Sequence, residues 1–242
     1  MTMAGHSKWN NIKRRKEAQD SKRAKVFTKI TKEIFASVRA GGDDPATNLR
    51  LRLAIQKGKE ANLPSDNIER TIKKSAGNQD GVTYEEITYE GYGPGGTAIF
   101  IDVLTDNRNR TVADLRYAFS RNGGNLGEAG SVSFLFEDAG IIVIHLCDLD
   151  EEELMLEAIE AGALEFEVEE HTALITTAYG DLQDVKKALV DAGYTIEASE
   201  LTKIPTVTTQ LNPEQEETMV KLIDKLEDND DVQNVYHNAE LS

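Results

Sequence analysis

The chain has one cysteine, one tryptophan and only five prolines among its 242 residues. A lone cysteine, Cys147, excludes an internal disulfide framework and is typical of a reducing compartment, so we expect a cytoplasmic location. The segment 1–9 lacks the apolar core of a secretory signal. No run approaches the roughly 18 apolar residues that a membrane-spanning helix needs, so we expect no membrane contact.

The sequence also lacks the patterns of catalytic and metal sites. Its four histidines do not pair with each other or with the cysteine at metal-ligand spacing. There is no nucleophile elbow and no phosphate loop of the GxxxxGK[ST] type. The glycine-rich run 91–96 joins two β-rich segments, which favours a hairpin turn, and the acidic run 148–153 is typical of a helix start. We therefore predict a protein that is not an enzyme and that needs neither a metal nor a cofactor.

Positive charge is scarce outside the N-terminal segment 1–80. The net charge is −16, but segment 1–80 contains 18 lysines and arginines against 9 acidic residues, whereas segment 81–242 contains 9 against 34. Such segregation within one chain is typical of proteins that bind nucleic acid or a membrane surface, and of these two partners we expect nucleic acid.

The positive charge is densest between residues 8 and 32, which carry ten lysines and arginines. Cations that neutralise phosphates release condensed counterions, so this segment is a candidate nucleic-acid contact. The only tryptophan lies beside the cations and is able to stack on an exposed base. A solvated charged helix face is the alternative explanation. The candidate residues are Lys8, Trp9, Lys13, Arg14, Arg15, Lys16, Lys22, Arg23, Lys25 and Lys29.

A second candidate contact is the segment 106–111, which follows a predicted strand and opens a predicted helix. It contains Arg108 and Arg110, two of the nine cations after residue 80. Free N–H groups at a helix start favour phosphate. The segment is equally explained as a capping turn in which Asn109 is the N-cap, and the two interpretations are compatible.

Residues 1–80 predict a small helical domain. Apolar residues from Val26 to Val38 recur at helical spacing, and Gly41-Gly42 ends that helix. Asp44-Pro45 predicts the start of a second helix with Leu49, Leu53 and Gln56 on one face. A third helix follows Pro64.

The rest of the chain predicts mixed α and β structure. Strands are expected at 83–90, 97–105 and 131–136, with a helix at 111–122. Residues 140–204 show the order βαββαβ of a ferredoxin-like domain. A strand at 206–211, a helix and a strand at 232–237 would complete the sheet of residues 83–136. We therefore predict an α+β protein with a helical domain (1–80), a discontinuous α/β middle domain (81–138 plus 205–242) and an acidic inserted ferredoxin-like domain (139–204).

Five distinctive motifs occur along the chain: 4–9 (AGHSKW) with 13–16 (KRRK), 89–96 (YEGYGPGG), 106–111 (DNRNRT), 123–127 (GGNLG) and 231–238 (DVQNVYHN). These segments closely resemble the YebC family. The resemblance covers essentially the whole chain in the same order, and only the Met1-Thr2 extension departs from it.

The resemblance implies a three-domain fold and a bacterial transcriptional regulator that binds DNA. Family relatives also include a mitochondrial translational activator of cytochrome oxidase subunit I, and bacterial members are linked to ribosomes stalled on proline-rich stretches. The partner is thus duplex DNA or, alternatively, ribosomal RNA and the ribosome, because phosphate contacts position a protein without specifying its target. We further expect a monomer, and the acidic inserted domain is a candidate surface for a protein partner.

Overall fold

The protein is described by a computed structural model over residues 23–77, 81–147 and 149–241. These residues form two compact units. The first contains the described residues up to Ser131 together with Asn212–His237, and the second contains Val132–Leu211 and the described residues from Asn238 onward. Both combine helices with β-strands, which confirms the mixed class that the sequence predicts.

The helices in chain order are α1 (Arg23–Gly41), α2 (Leu49–Glu60), α3 (Ser65–Ala76), α4 (Arg108–Arg121), α5 (Glu151–Glu160), α6 (Leu182–Asp191) and α7 (Pro213–Glu227). The strands are β1 (Glu85–Tyr92), β2 (Ala98–Thr105), β3 (Asn125–Leu126), β4 (Phe136–His145), β5 (Glu165–Glu169), β6 (Thr172–Ala178), β7 (Ala198–Pro205), β8 (Thr209–Gln210), β9 (Val232–His237) and β10 (Ala239–Glu240). Among the described helices, none combines the length and the apolar character that a bilayer crossing requires.

Helices α1 to α3 form a small bundle in the first unit. The predicted stripe of α1 is its core face, since Ile30, Ile34 and Val38 are at most 4% exposed. The helix ends as predicted: Gly42 has a φ of +88°, and its N–H donates to the carbonyl of Val38 at 2.8 Å. This left-handed conformation is easily adopted only by glycine.

The predicted start of α2 is wrong by four residues. Asp44 closes a turn instead, and Asn48 caps the helix by accepting the Leu51 N–H at 3.0 Å. The buried Asn48 amide also donates to the carbonyls of Ser37 and Gly42, so its position is fixed by tertiary contacts that local sequence does not reveal. The predicted face with Leu49 and Leu53 points to solvent, where these side chains are 57% and 41% exposed.

The sheet of the first unit has the strand order β3-β1-β2-β9, and every pair is antiparallel. Run 91–96 lies in the hairpin between β1 and β2, so the predicted turn is confirmed. Helices α4 and α7 accompany this sheet, and Phe119, Leu115 and Leu226 are at most 1% exposed. Gly124 lies where an added Cβ would be 2.5 Å from the Tyr92 carbonyl oxygen, so only glycine allows this close approach.

The second unit contains the predicted βαββαβ order, from β4 through α5, β5, β6 and α6 to β7. Its sheet has the order β5-β6-β4-β7 with antiparallel pairs throughout. One core joins β4 and β6 to both helices through Ile142, Ile144, Leu154, Ile175 and Val185. Asp150 caps α5 by accepting the N–H groups of Glu152 and Glu153, and Glu151, Glu152 and Glu153 occupy the first turn of this helix.

Two predicted strands are wrong. Residues 133–135 form a 3₁₀ turn, and the strand that follows, β4, pairs with β6 and β7 rather than with β1 or β2. In 206–211 only β8 is extended, and it pairs in parallel with β10 in the second unit. Strand β9, in contrast, pairs with β2 as predicted. Short β-rich segments do not specify their partner strand, which explains both errors.

Candidate nucleic-acid interface

The helical bundle presents cations to solvent mainly from α2 and α3. Helix α2 carries four, at positions 50, 52, 57 and 59, against one acidic residue. Arg50 pairs with Glu86, and Lys57 pairs with Glu33 at 3.1 Å. Exposed cations of the bundle outside these two pairs include Arg39, Arg52, Lys59, Arg70 and Lys73. This surface is the part of the described bundle best suited to a polyanion.

These exposed cations were not singled out as candidates from the sequence. The signal was present, since eight of the 18 cations of segment 1–80 lie between Arg39 and Lys74. They are spaced among leucines and acids, however, and no compact run marks them. The leucines Leu49 and Leu53 lie exposed on the same helix as four of these cations, which adds an apolar element to the surface.

Seven of the predicted contact residues lie outside the described residues: Lys8, Trp9, Lys13, Arg14, Arg15, Lys16 and Lys22. Of the others on α1, Arg23 is exposed, and its guanidinium lies 5.2 Å from the ring centroid of Phe27. Lys25 and Lys29 are turned toward the protein itself.

Three lysines of α1 hold the end of α7 and the turn that follows it. The ammonium groups of Lys25, Lys29 and Lys32 donate to the carbonyls of Asp228, Glu227 and Asp230, at 3.1, 2.8 and 3.0 Å. The last carbonyls of a helix lack intrahelical partners and carry partial negative charge, so they attract cations. In this arrangement the three ammonium groups join α1 to the end of α7 and present little charge to an external ligand.

Asp231 is the centre of this contact. Its carboxylate accepts from Lys32 at 2.6 Å, from the Arg110 guanidinium at 2.7 Å and from the Thr111 hydroxyl at 2.8 Å. Burial alone would raise the pKa of Asp231, but these hydrogen bonds outweigh it and lower the pKa. The Asp231 side chain is only 5% exposed. A buried carboxylate is costly unless it is paired, so the charged form of Asp231 is kept in the folded state by these three hydrogen bonds. We call the contacts of Lys25, Lys29, Lys32 and Asp231 the lysine clasp.

The segment 106–111 is a capping turn in the structure. Asn107, not Asn109 as predicted, is the N-cap of α4, and its side chain accepts the Arg110 N–H at 3.1 Å. Hydrogen bonds to Asp231 and Asp106 raise the pKa of the Arg110 guanidinium. Arg110 is thus occupied by two carboxylates. Arg108 is 63% exposed and lies 3.7 Å from the Glu85 carboxylate, so it is the more accessible of the two arginines.

An open acidic depression adjoins the clasp. Five aspartates line it, together with Asn229, Lys32 and Arg110: Asp106, Asp114, Asp228, Asp230 and Asp231. Within the described ranges, no group of three or more acidic, histidine or cysteine side chains is arranged to hold a metal ion. Excess negative charge makes this depression a poor site for phosphate.

Lys29 gives the clasp a pH dependence. Burial lowers the pKa of Lys29 to about 8 from the ordinary 10.5, against the attraction of Glu227 and Asp230. The unfolded chain therefore holds this proton more tightly, and stability rises as pH increases between these two values. We expect the free energy of unfolding of the wild type, relative to Lys29→Met, to increase by about 2 kcal/mol from pH 7.5 to pH 10. Urea unfolding at both pH values measures this, and parallel pH profiles for the two proteins would contradict it.

The fold and the surface charge define the class of this protein. It is an α+β protein with an N-terminal helical bundle that carries exposed cations, and its two four-stranded sheets are antiparallel. Residues 7–78 match the family profile described as the TACO1/YebC protein N-terminal domain, and residues 84–239 match the TACO1/YebC second and third domain. The chain belongs to the TACO1/YebC family.

Similar proteins cover nearly the full chain. A probable transcriptional regulatory protein of Caldanaerobacter subterraneus subsp. tengcongensis is 53% identical over 240 residues, which is 99% of each chain. One from Geobacillus kaustophilus is 54% identical over 242 residues, covering 99% of this chain and 98% of the relative. The crystal structure of a conserved hypothetical protein from Aquifex aeolicus matches with a TM-score of 0.81 and 44% identity over 92% of each chain.

Proposed function

We propose that this protein is a nucleic-acid-binding regulator, and specifically a DNA-binding transcriptional regulator that grips the phosphate backbone with its cationic segment 1–80. The observation that carries the proposal is the charge segregation: 18 of the 27 lysines and arginines lie in that third of the chain. The anionic remainder repels the same polyanion, so it orients the molecule with its cationic part toward the ligand.

Two further observations support the proposal, the first for nucleic-acid binding and the second for the transcriptional role. The bundle carries exposed cations on α2 and α3 in addition to the candidate segment 8–32. Relatives with more than half of their residues identical are named as probable transcriptional regulatory proteins. These names do not favour the ribosomal alternative. No catalytic constellation enters the proposal, and the protein acts by binding rather than by turnover.

The proposal includes the domain organisation and setting expected from the sequence. Residues 139–204 serve as an inserted ferredoxin-like domain within a middle domain of 81–138 plus 205–242, after a helical domain of 1–80. The protein acts in the cytoplasm as a monomer, and the acidic inserted domain offers a surface for a protein partner.

Salt dependence tests the phosphate contact. With six to eight cations on phosphates, a plot of log affinity against log salt for duplex DNA should have a slope of roughly −5 to −7. Fluorescence anisotropy of a labelled duplex between 50 and 200 mM salt measures the slope, and quenching of Trp9 gives a second signal. Purified ribosomes, titrated in parallel over the same salt range, compare the two targets. A flat salt dependence, or stronger binding to ribosomes than to promoter DNA, would count against the proposal.

A further inference from the structure

The outer surface of α4 carries an exposed aromatic side chain that contacts an arginine. Tyr117 is 64% exposed, although it lies in the middle of a helix whose other face is part of the core. The Arg121 guanidinium lies 5.7 Å from the centroid of the Tyr117 ring, and its Nε–H donates to the phenol oxygen at 3.4 Å. The pKa of Tyr117 is lowered by this hydrogen bond and by the nearby charges of Arg121 and Lys225.

The surroundings of Tyr117 are unusual for this part of the chain. Only nine lysines and arginines follow residue 80, and six of them lie on α4 and α7, which pack against each other. Arg110 is held by carboxylates and Lys221 by Glu217. Lys225, in contrast, is exposed on α7 with its charge acting on Tyr117, and Arg116 is exposed on α4 one position before the tyrosine. Within the anionic segment 81–242, these two helices carry six of the nine cations against six acidic residues, and two of those cations, Arg121 and Lys225, act on the tyrosine.

An exposed tyrosine by itself requires no explanation, and an arginine four residues later is a common helix pair. The combination here has two further properties. The arginine restrains the tyrosine side chain, so less conformational freedom is lost when a ligand stacks on it. Proteins also bind unpaired nucleic acid through aromatic rings flanked by cations. The ring stacks on the π-face of a base, and the cations contact the phosphates on either side.

We propose that Tyr117 and Arg121 form a stacking site for an unpaired nucleobase, with Arg116 and Lys225 contacting the flanking phosphates. The inference rests on the proposed nucleic-acid binding and adds to it a second contact, distant in sequence from the cationic segment 1–80. A duplex without unpaired bases contacts only the cationic segment 1–80, whereas a strand with unpaired bases contacts this segment and the stacking site.

The test compares two labelled probes by fluorescence anisotropy at 50 mM salt, a single-stranded dT12 and a blunt 12-base-pair duplex. Stacking of one base on an aromatic side chain corresponds to a change of roughly five- to 150-fold in affinity. We expect Tyr117→Ser to weaken dT12 binding by about tenfold or more and to leave duplex binding within about twofold. Tyr117→Phe keeps the ring and should bind dT12 like the wild type, and Arg121→Gln should fall between these variants.

Tyr179→Ser is the matched control, because Tyr179 is 52% exposed and lies in the other unit. Far-ultraviolet circular dichroism and thermal midpoints establish that each variant is folded. If the folded Tyr117→Ser variant binds dT12 as tightly as the wild type does, the stacking site is overturned and the proposed function stands. A Tyr117→Phe variant as weak as Tyr117→Ser overturns stacking as the cause. A wild-type protein that binds neither probe overturns both the inference and the proposed function.

Discussion

Reversal of Lys13, Arg14, Arg15 and Lys16 to glutamate is expected to abolish nucleic-acid binding without unfolding the protein. The four residues form the most compact cationic run of the chain. If each contacts one phosphate, their loss reduces the salt slope on duplex DNA by about 3.6, and the new acids add repulsion. We expect a loss in affinity of about 100-fold or more at 50 mM salt. Fluorescence anisotropy with a labelled duplex measures it.

A matched pair of double variants separates local contact from net charge. Arg14→Glu with Arg15→Glu changes the total charge by the same amount as Lys187→Glu with Lys221→Glu. Lys187 and Lys221 are 74% and 62% exposed, and each pairs with an acid four residues away. The first double variant should lose most of its affinity and the second should retain it. Equal losses would show that total charge, not the cationic run, governs binding.

Asp231→Asn is expected to destabilise the first unit by about 3 kcal/mol. The neutral amide of asparagine cannot balance the positive charge of Lys32, whose side chain is only 15% exposed. The ion pair between residue 231 and Arg110 is lost as well. Leaving a nearly buried charge without its partner is what makes such a substitution costly. Urea unfolding followed by circular dichroism at pH 7 measures the difference. Asp230→Asn is the control, because Asp230 is exposed and contributes its carbonyl to Lys32.

The contribution of Asp231 also has a defined pH dependence. Its folded-state pKa lies below the ordinary 3.8, so the stabilisation is fully present above that value and is lost as pH falls through the lowered pKa. The difference between wild type and Asp231→Asn should therefore be constant at neutral pH and shrink under acidic conditions. A difference that persists unchanged at pH 2, or a control variant as unstable as Asp231→Asn, would contradict the role assigned to this carboxylate.

Most helices and strands followed from local patterns, and the errors share one cause. The stripe of Ile30, Ile34 and Val38 predicts α1 because helical spacing is a property of the segment itself. Asn48 and Asn107 replace Asp44 and Asn109 as caps, since several residues nearby are able to cap and only tertiary contacts select among them. The partner of β8 is likewise chosen by contacts made over the whole unit.

The candidate interface was predictable to the extent that it depends on charge. The excess of cations in segment 1–80 is evident from composition, but the exposed set on α2 and α3 was not predicted, because these cations are spaced among leucines and acids. The environment of Lys25 and Lys29 was not predictable, because the acceptors lie about 200 positions away in the sequence. A helical projection identifies the side of α1 that carries these lysines, but it contains no information about what packs there.

The lysine clasp has a consequence for biosynthesis. Lys25 and the carbonyl that it contacts are separated by 203 positions. As the polypeptide emerges from the ribosome, α1 is complete long before α7 has been translated, and the acceptors for its ammonium groups do not yet exist. Such long-range pairing forms late, after the entropy of closing a very large loop has been overcome. The nascent bundle is therefore more cationic at its surface than the finished protein, and this excess disappears only once Asp231 has been synthesised.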